Sequence, residues 1–388
     1  MPDGAVLDGT PPPGRGPAGD ATHVRTVRRL DQHAGRGYDR VWQPYVAEWA
    51  PAAGGREAHL AVVYGGHLAG KVDMGDIWCC VSTDGGDAWS EPVAVFDHTL
   101  PLGPLRFAYA NPILFKPPGQ PILWCFAMRC PLLQRDSENS ALCAAYSVDG
   151  GRSWQPVELA VHWQSSLIVV AGIATVPDAA GHPRYLLPAH RNSLRHDVRG
   201  HRDHAVLESA NLLEWRLAGY VPQAGLGGEP GAPTVFLHEG SIAGGDAPGE
   251  LKMVMRTADY HTYTALEPPV AYSTVSTDGG RTWSLARPEP ALHNAVSKAF
   301  FGRDAHGRHV YVYSAGPRGE RRALHYTVKR PGGAWGAPRA FYAPGVKNSY
   351  PTLIEYAPGR FHCVWDSSDS PDRHRTVIRY GRLDLGDL

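Results

Sequence analysis

The sequence predicts an all-β protein, a six-bladed β-propeller whose blades are four-stranded antiparallel sheets. Glycine and proline are frequent, with 44 and 34 among 388 residues, and they separate short apolar runs as turns separate strands. One short motif also recurs along the chain, as in folds whose stacked repeats share a core. We therefore expect one domain over residues 22–388, after a disordered Pro/Gly-rich leader at residues 1–21.

The recurring motif has three close copies, at Ser82–Trp89, Ser147–Trp154 and Ser276–Trp283. Weaker copies end at Trp215 and Trp335, so the five tryptophans are spaced by roughly 50 to 70 residues, as blades would be. The aspartate can accept backbone N–H bonds, the Gly pair allows positive φ, and the tryptophan buries a large apolar face. The motif therefore predicts a structural hairpin turn.

Four apolar runs recur around each motif, but the last repeat has only three, at Tyr350–Tyr356, Phe361–Asp366 and Thr376–Leu383. The run His23–Leu30 precedes the first repeat and is not assigned to any other blade. We expect it to supply the missing strand, so that the N-terminal strand closes the last blade. Such a closure leaves no exposed sheet edge.

Composition excludes several classes of protein. Acidic and basic residues are equal in number, at 38 each, so the chain lacks the basic field of nucleic-acid and membrane-surface binders. It has no apolar run that could span a membrane and no signal-peptide pattern, which predicts a cytoplasmic location. The cysteines show no CxxC pair and lie in apolar runs, so buried free thiols are expected. They are Cys79, Cys80, Cys125, Cys130, Cys143 and Cys363.

The recurring motif has the pattern of an Asp box, and Asp-box repeats on a six-blade plan resemble the sialidase (neuraminidase) superfamily of BNR-repeat proteins. The resemblance implies a glycoside hydrolase for a carboxylate-bearing sugar, either sialic-acid-like or uronic. It also implies three arginines that hold the carboxylate, a Tyr–Glu nucleophilic pair and an aspartate acid/base. A phenol suits this role because the ligand carboxylate would repel a carboxylate nucleophile. Arginine offers a planar, permanently charged fork for the carboxylate.

The resemblance implies roles for particular residues by their place in the repeats. Arg40 precedes the first inner strand, Arg256 ends the second strand of blade four, and Arg322 or its neighbour Arg321 opens the third strand of blade five. These are the expected carboxylate-binding residues.

The same resemblance implies the catalytic residues. Tyr350 opens the inner strand of blade six and matches the nucleophile, and Glu229 precedes the inner strand of blade four and matches its partner. The acid/base should lie in the loop between the second and third strands of blade one, where either Asp73 or His67 could serve.

Other polar residues are expected at the same channel mouth. His190 and Arg191 begin a loop rich in histidine and arginine, and Tyr260 and His261 lie in the corresponding loop of blade four. Arg106 and Asn111 stand at the opening of blade two. The spacings fit no metal motif, so we expect no cofactor, and the expected partner is a small anionic sugar or glycoside.

Three alternatives stay open at this point. A lyase could cleave a uronic-acid glycoside by β-elimination, with Tyr350, His67 or His261 as the base. The chain could also be a propeller enzyme for an intracellular biosynthetic intermediate, or a propeller that binds a glycan without catalysis.

Overall fold

The computed structural model describes residues 19–55, 57–100, 105–134, 139–163, 167–169, 171–191, 204–223, 235–259, 262–316, 320–370 and 376–386. Regular structure in these ranges is almost entirely strand, with one 3-10 turn at Leu30–His33. The first thirteen strands are β1 Thr22–Arg29, β2 Tyr38–Ala50, β3 His59–Leu68, β4 Gly75–Ser82, β5 Val93–Phe96, β6 Phe107–Phe115, β7 Leu123–Pro131, β8 Ala141–Ser147, β9 Gln155–Val157, β10 Ala160–His162, β11 Leu167–Ile168, β12 Ala174–Pro177 and β13 Pro183–Arg191. The others are β14 His204–Ser209, β15 Glu214–Tyr220, β16 Val235–Gly244, β17 Leu251–Asp259, β18 Val270–Ser276, β19 Arg287–His293, β20 Phe300–Arg303, β21 His309–Ala315, β22 Ala323–Lys329, β23 Arg339–Tyr342, β24 Lys347–Ala357, β25 Arg360–Ser368 and β26 Thr376–Asp384.

Within the described ranges the strands form five hydrogen-bonded sheets in a propeller-like arrangement, which confirms the all-β prediction. Three sheets have four strands each, in the orders β1-β26-β25-β24, β16-β17-β18-β19 and β20-β21-β22-β23. A fourth sheet contains β10–β15. The largest contains β2–β9, and its two halves are joined between β4 and β6 by a single residue pair, Gly75 with Tyr109.

The first and last strands of the chain are paired, as the sequence predicted. β1 runs antiparallel to β26, and its buried Val27 packs against Ile378 and Tyr380. β1 thereby covers the edge of β26. Asp20 and Ala21, which the sequence analysis placed in the leader, donate backbone hydrogen bonds to the carbonyls of Ala340 and Phe341 in β23.

We expect removal of residues through Leu30 to lower the unfolding midpoint sharply, because β26 would become an exposed edge. A milder variant, Val27→Asp, places a charge in the core and should cost about 3 kcal/mol of unfolding free energy. Thr22→Asp, at the exposed start of the same strand, is the matched control. Denaturant unfolding compares the variants, and a truncated chain as stable as the full one would contradict the closure.

The Asp-box turns have the predicted geometry. In the second copy Ser147 Oγ accepts the Gly151 amide at 2.8 Å, and Asp149 accepts the amides of Arg152 and Ser153 at 3.0 Å. Slight burial opposes the charge of Asp149, but hydrogen bonds from the hydroxyls of Ser153 and Ser147, together with these amides, outweigh it and lower its pKa to about 2. In the weaker copy Asn211 accepts backbone amides in the same way.

The boxes also join neighbouring sheets, which the sequence did not indicate. The carbonyl of Gly85 accepts hydrogen bonds from Arg382 at 2.7 Å and from Tyr380 at 3.0 Å, both in β26. Arg184 of β13 donates in the same way to Gly279 of the box after β18. These turns therefore fix the position of one sheet against the next.

The prediction of buried thiols is confirmed, because all six cysteines are buried and none forms a disulfide. No helix in the described part of the chain is both long enough and apolar enough to cross a membrane.

Candidate functional site

One backbone irregularity recurs in four strands, β2, β6, β16 and β24, and it builds the site. Their pairing with the following strand shifts register at Gln43, Asn111, Glu239 and Tyr350, and these residues have φ of 49°, 55°, 50° and 53°. Positive φ is uncommon for residues with a side chain, and such bulges re-aim side chains, often at functional sites. β2 packs against both β24 and β6, so the four bulges face a common centre.

The four bulge residues line one cavity of about 270 Å³. The described residues of its wall include four cations and two carboxylates, so their summed formal charge is positive. The remaining lining residues are Arg40, Trp42, Asp73, Ile168, His190, His238, Arg256, Tyr263, Arg321 and Lys347.

Several buried polar atoms of this wall have no hydrogen-bond partner among the described residues. They are Nε of Arg40 and of Arg256, Oε2 of Glu239, Oε1 of Gln43 and Oδ1 of Asn111. Buried polar atoms in folded proteins are nearly always paired, so such a group around one cavity indicates a binding site for a polar ligand.

Arg256 and Glu239 form a buried ion pair in the cavity wall. Arg256 Nη1 donates to Glu239 Oε1 at 2.8 Å, and both side chains are 6% exposed. Burial opposes the charge of Arg256, but Glu239 outweighs it and raises the pKa of the guanidinium. The pair therefore fixes Glu239 with one oxygen bonded, while the other oxygen has no hydrogen-bond partner among the described residues.

Tyr350 is buried in the same wall, where its ring lies 6.3 Å from that of Trp42. Burial raises the pKa of its phenol; the negative charge of Glu239 raises it further, and Arg321 and Arg256 oppose both. The phenol is therefore neutral near pH 7, and it needs a base before it can act as a nucleophile.

The third arginine of the cavity is Arg321, and Arg322 is not part of it. Arg321 Nη2 donates to the Val296 carbonyl at 2.7 Å, and its guanidinium lies 5.1 Å from the centre of the Tyr350 ring. The Arg322 side chain is 69% exposed and pairs with Glu320. The preference for Arg322 was wrong because adjacent residues of extended chain point to opposite sides.

His67 does not reach the cavity, so its expected role as an acid or base is not supported by its position. Its side chain is 1% exposed, Nδ1 lies 2.7 Å from Asp39, and Nε2 lies 2.8 Å from Arg40 Nη2. Nε2 also accepts the Asp73 amide at 3.0 Å. Because Nε2 accepts from two N–H groups, Nδ1 carries the proton. Burial lowers the pKa of the ring, with a further contribution from Arg40. His67 thus holds Arg40 and the backbone of Asp73 in place.

Asp73 lies in the cavity wall in a left-handed turn, with φ of 53°. Its side chain is 48% exposed, and its carboxylate lies 3.6 Å from Arg40 Nη2. The loss of bulk water around the carboxyl raises its pKa, although Arg40 and His67 oppose this shift. A raised pKa suits a carboxyl that must donate a proton.

Comparison with known families identifies the repeat. The model of the BNR repeat-like domain matches residues 59–363, most of the chain. The chain belongs to the BNR repeat-like family. This confirms the resemblance drawn from the Asp boxes. No curated protein sequence matches the chain.

Solved structures share the fold of this BNR-repeat protein at low sequence identity. The NanB sialidase of Streptococcus pneumoniae, as its K499G mutant, aligns with a TM-score of 0.66 and 10% identity over 95% of this chain and 71% of its own. A leech intramolecular trans-sialidase aligns with a TM-score of 0.65 and 13% identity, over 94% of this chain and 70% of its own. An α-L-arabinofuranosidase of Fusarium graminearum aligns with a TM-score of 0.64 and 12% identity, over 96% of this chain and 99% of its own. These neighbours are glycosidases, and the likeness supports the fold alone.

Two lysines of this BNR-repeat chain belong to the site but were not predicted. Lys347 lines the cavity. Lys298 is buried, donates to Thr352 Oγ1 at 3.0 Å and lies 6.0 Å from the centre of the Tyr350 ring. Burial lowers the pKa of Lys298 to about 8, against the opposing charge of Glu239. Neither lysine belongs to a recognisable motif, so no sequence signal pointed to them.

The other predicted residues have mixed positions in this BNR-repeat protein. Asn111 and His190 line the cavity, and the His190 ring lies 5.3 Å from that of His238. Arg106 is exposed outside the cavity, because it precedes β6 and its side chain projects into solvent. Four predictions lie outside what the structure describes: Glu229, Tyr260, His261 and the side chain of Arg191.

Among the described residues, Glu239 is the glutamate that lines the cavity, ten residues after Glu229. A signal for it exists in the repeats: Gln43, Asn111 and Tyr350 are each followed by proline at the bulge, and Glu239 by glycine. Glu229 was predicted from its place before the inner strand of blade four, and it lies outside the described residues.

Proposed function

We propose that the chain is a sialidase-like glycoside hydrolase that acts on a sugar bearing a carboxylate. The observation that carries the proposal is the convergence of Tyr350, Glu239 and three arginines from separate sheets on one cavity. A propeller that only bound neutral glycans would need neither a buried phenol beside a carboxylate nor a positively charged wall.

Arg40, Arg256 and Arg321 would hold the ligand carboxylate. Their guanidiniums are always charged and can form paired hydrogen bonds with a carboxylate. The Nε atoms of Arg40 and Arg256 are buried without a hydrogen-bond partner among the described residues, so these two N–H groups can donate to a ligand. Such preorganised donors stabilise charge without reorganisation during the reaction.

Tyr350 would attack the anomeric carbon while Oε2 of Glu239 takes the phenolic proton, which forms a glycosyl–tyrosine bond and breaks the glycosidic bond. Asp73 would give its proton to the departing oxygen. Water would then attack the anomeric carbon, its proton passing to Asp73 and the phenolic proton returning to Tyr350 from Glu239. This route retains the anomeric configuration.

The proposal is tested by turnover of three aryl glycosides, those of N-acetylneuraminic acid, glucuronic acid and arabinofuranose. We expect release of the aryl group from an acidic sugar and none from the neutral one, because the cavity wall is positively charged. A product that absorbs ultraviolet light through a new C=C bond would instead identify β-elimination. Turnover of the arabinofuranoside alone would contradict the proposal, and no turnover with bound acidic sugar would favour a binding protein.

We also infer six blades from the five sheets. The sheet of β2–β9 is joined between β4 and β6 by one residue pair, and each half carries an Asp-box turn. Divided there, the described strands form six groups.

A further inference from the structure

We propose that Lys347 is a further anion-binding residue of the cavity and that the acidic part of the ligand carries two negative charges. The inference deepens the proposed function, since it concerns the anion that the same cavity takes. It rests on the position of Lys347 beside two of the arginines and on the excess of positive charge that results.

Lys347 is the first residue of β24, three residues before Tyr350, and it lines the cavity. Its side chain is 37% exposed, and the closest carboxylate, Asp366 Oδ2, lies 3.6 Å from Nζ. This separation exceeds a normal hydrogen bond. Asp366 Oδ2 instead accepts a hydrogen bond from Ser349 Oγ at 2.7 Å. The N–H groups of the Lys347 ammonium can therefore donate hydrogen bonds to a ligand.

The surroundings of Lys347 are strongly positive. Burial lowers the pKa of its ammonium, Asp366 opposes that shift, and the nearby charges of Arg321 and Arg40 lower the pKa further. Arg40, Arg321 and Lys347 therefore lie within electrostatic reach of one another. Three carboxylates also lie near these cations: Asp366, 3.6 Å from Lys347 Nζ, and Asp73 and Asp39, 3.6 Å and 4.0 Å from the Arg40 guanidinium. Of these, Asp73 alone is among the described residues that line the cavity, so the described lining keeps an excess of positive charge.

The chemistry of the ligand follows from this excess. Planar guanidiniums suffice for a single carboxylate, whereas a lysine acts as a compact point charge that suits a second charged oxygen. Two forms of ligand meet this requirement: a second carboxylate beside the first, or both charges on one centre, as in a phosphate or sulfate. Their shared property is two negative charges a few ångströms apart.

Three small anions test the inference at pH 7 and constant ionic strength: acetate, malonate and sulfate. Titration calorimetry on the full chain should show malonate or sulfate bound about tenfold more tightly than acetate, the effect of one charge-assisted hydrogen bond. The stronger of the two dianions identifies which form of ligand the cavity takes. Lys347→Met should abolish the preference, and Lys347→Arg should retain it. Lys329→Met is the matched control, because Lys329 pairs with Asp246 and lies outside the cavity.

A pH series adds a second readout. As pH rises, the wild type should lose its preference for dianions once Lys347 deprotonates, whereas Lys347→Arg should keep it. An unchanged preference in Lys347→Met, or no preference in the wild type, would overturn the inference. Anion binding needs no bond cleavage, so this result is separate from turnover. If no glycoside were turned over but the preference for dianions still depended on Lys347, only the proposed function would be refuted.

Discussion

Replacing Tyr350 by phenylalanine is expected to lower kcat/KM on the preferred aryl glycoside by about 10³-fold or more, the scale seen when a nucleophile is removed. The change deletes one oxygen and keeps the ring that packs near Trp42. The affinity for an acidic ligand should stay close to that of the wild type, because the arginines are unchanged. Steady-state kinetics and calorimetry on the same preparation separate the two effects.

Tyr342→Phe is the matched control for this experiment. Tyr342 is also buried, but it packs on Trp365 outside the cavity, so its turnover should match that of the wild type. Full turnover in Tyr350→Phe would remove the phenol from the mechanism, and the arginines would then describe only a binding site.

The partner of Tyr350 is less simple to remove. Glu239→Gln would leave Arg256 buried without its carboxylate, and breaking a buried pair costs about 3 to 5 kcal/mol. Loss of turnover in that variant could therefore come from unfolding, whereas Tyr350 has no buried charge to compensate. For this reason the tyrosine is the sharper probe of the nucleophilic pair.

The fold could be predicted from the sequence because its signals are local. An Asp box closes its own turn with hydrogen bonds between residues at most four apart, as Ser147 and Gly151 show. The pairing of β1 with β26 could be predicted because the last repeat lacked one strand. Both inferences needed only the order of strands, not the direction of a side chain.

The site was predicted less completely because it depends on side-chain direction. The resemblance indicated Arg256 and Tyr350, and both line the cavity, although β17 continues to Asp259 and β24 begins at Lys347. Successive side chains of extended chain point to opposite sides, so Arg321 and Arg322 face in opposite directions. Both residues precede β22, and no local sequence pattern there shows which of the two faces the cavity. Glu239 was missed because it lies at a bulge inside β16, and the strand pattern of the sequence does not show where a bulge falls.

The choice between Asp73 and His67 shows the same limit. Both lie in or beside one loop, and both are residue types that can transfer protons. Only the fold reveals that both ring nitrogens of His67 are already engaged and that the ring is buried. The carboxyl of Asp73 is the group that the loop presents to the cavity.

Asp73→Asn is expected to reduce turnover according to the leaving group. A sugar or alkyl leaving group needs a proton as it departs, and loss of general-acid catalysis should lower its turnover by about 10²- to 10⁴-fold. A nitrophenyl group leaves as a stable anion, so its turnover should fall much less. The two substrates can be compared in one preparation, and this ratio excludes general damage to the cavity. An equal loss on both would assign Asp73 a role in binding.

The pH dependence tests the same carboxyl independently. Asp73 must be protonated to donate, so kcat/KM of the alkyl glycoside should fall as pH rises through its pKa. Because removal from bulk water raises that pKa, the fall should occur at higher pH than for an ordinary aspartate. Asp73→Asn has no proton to lose, so its profile should lack this limb. A limb that persisted in the variant would belong to another group.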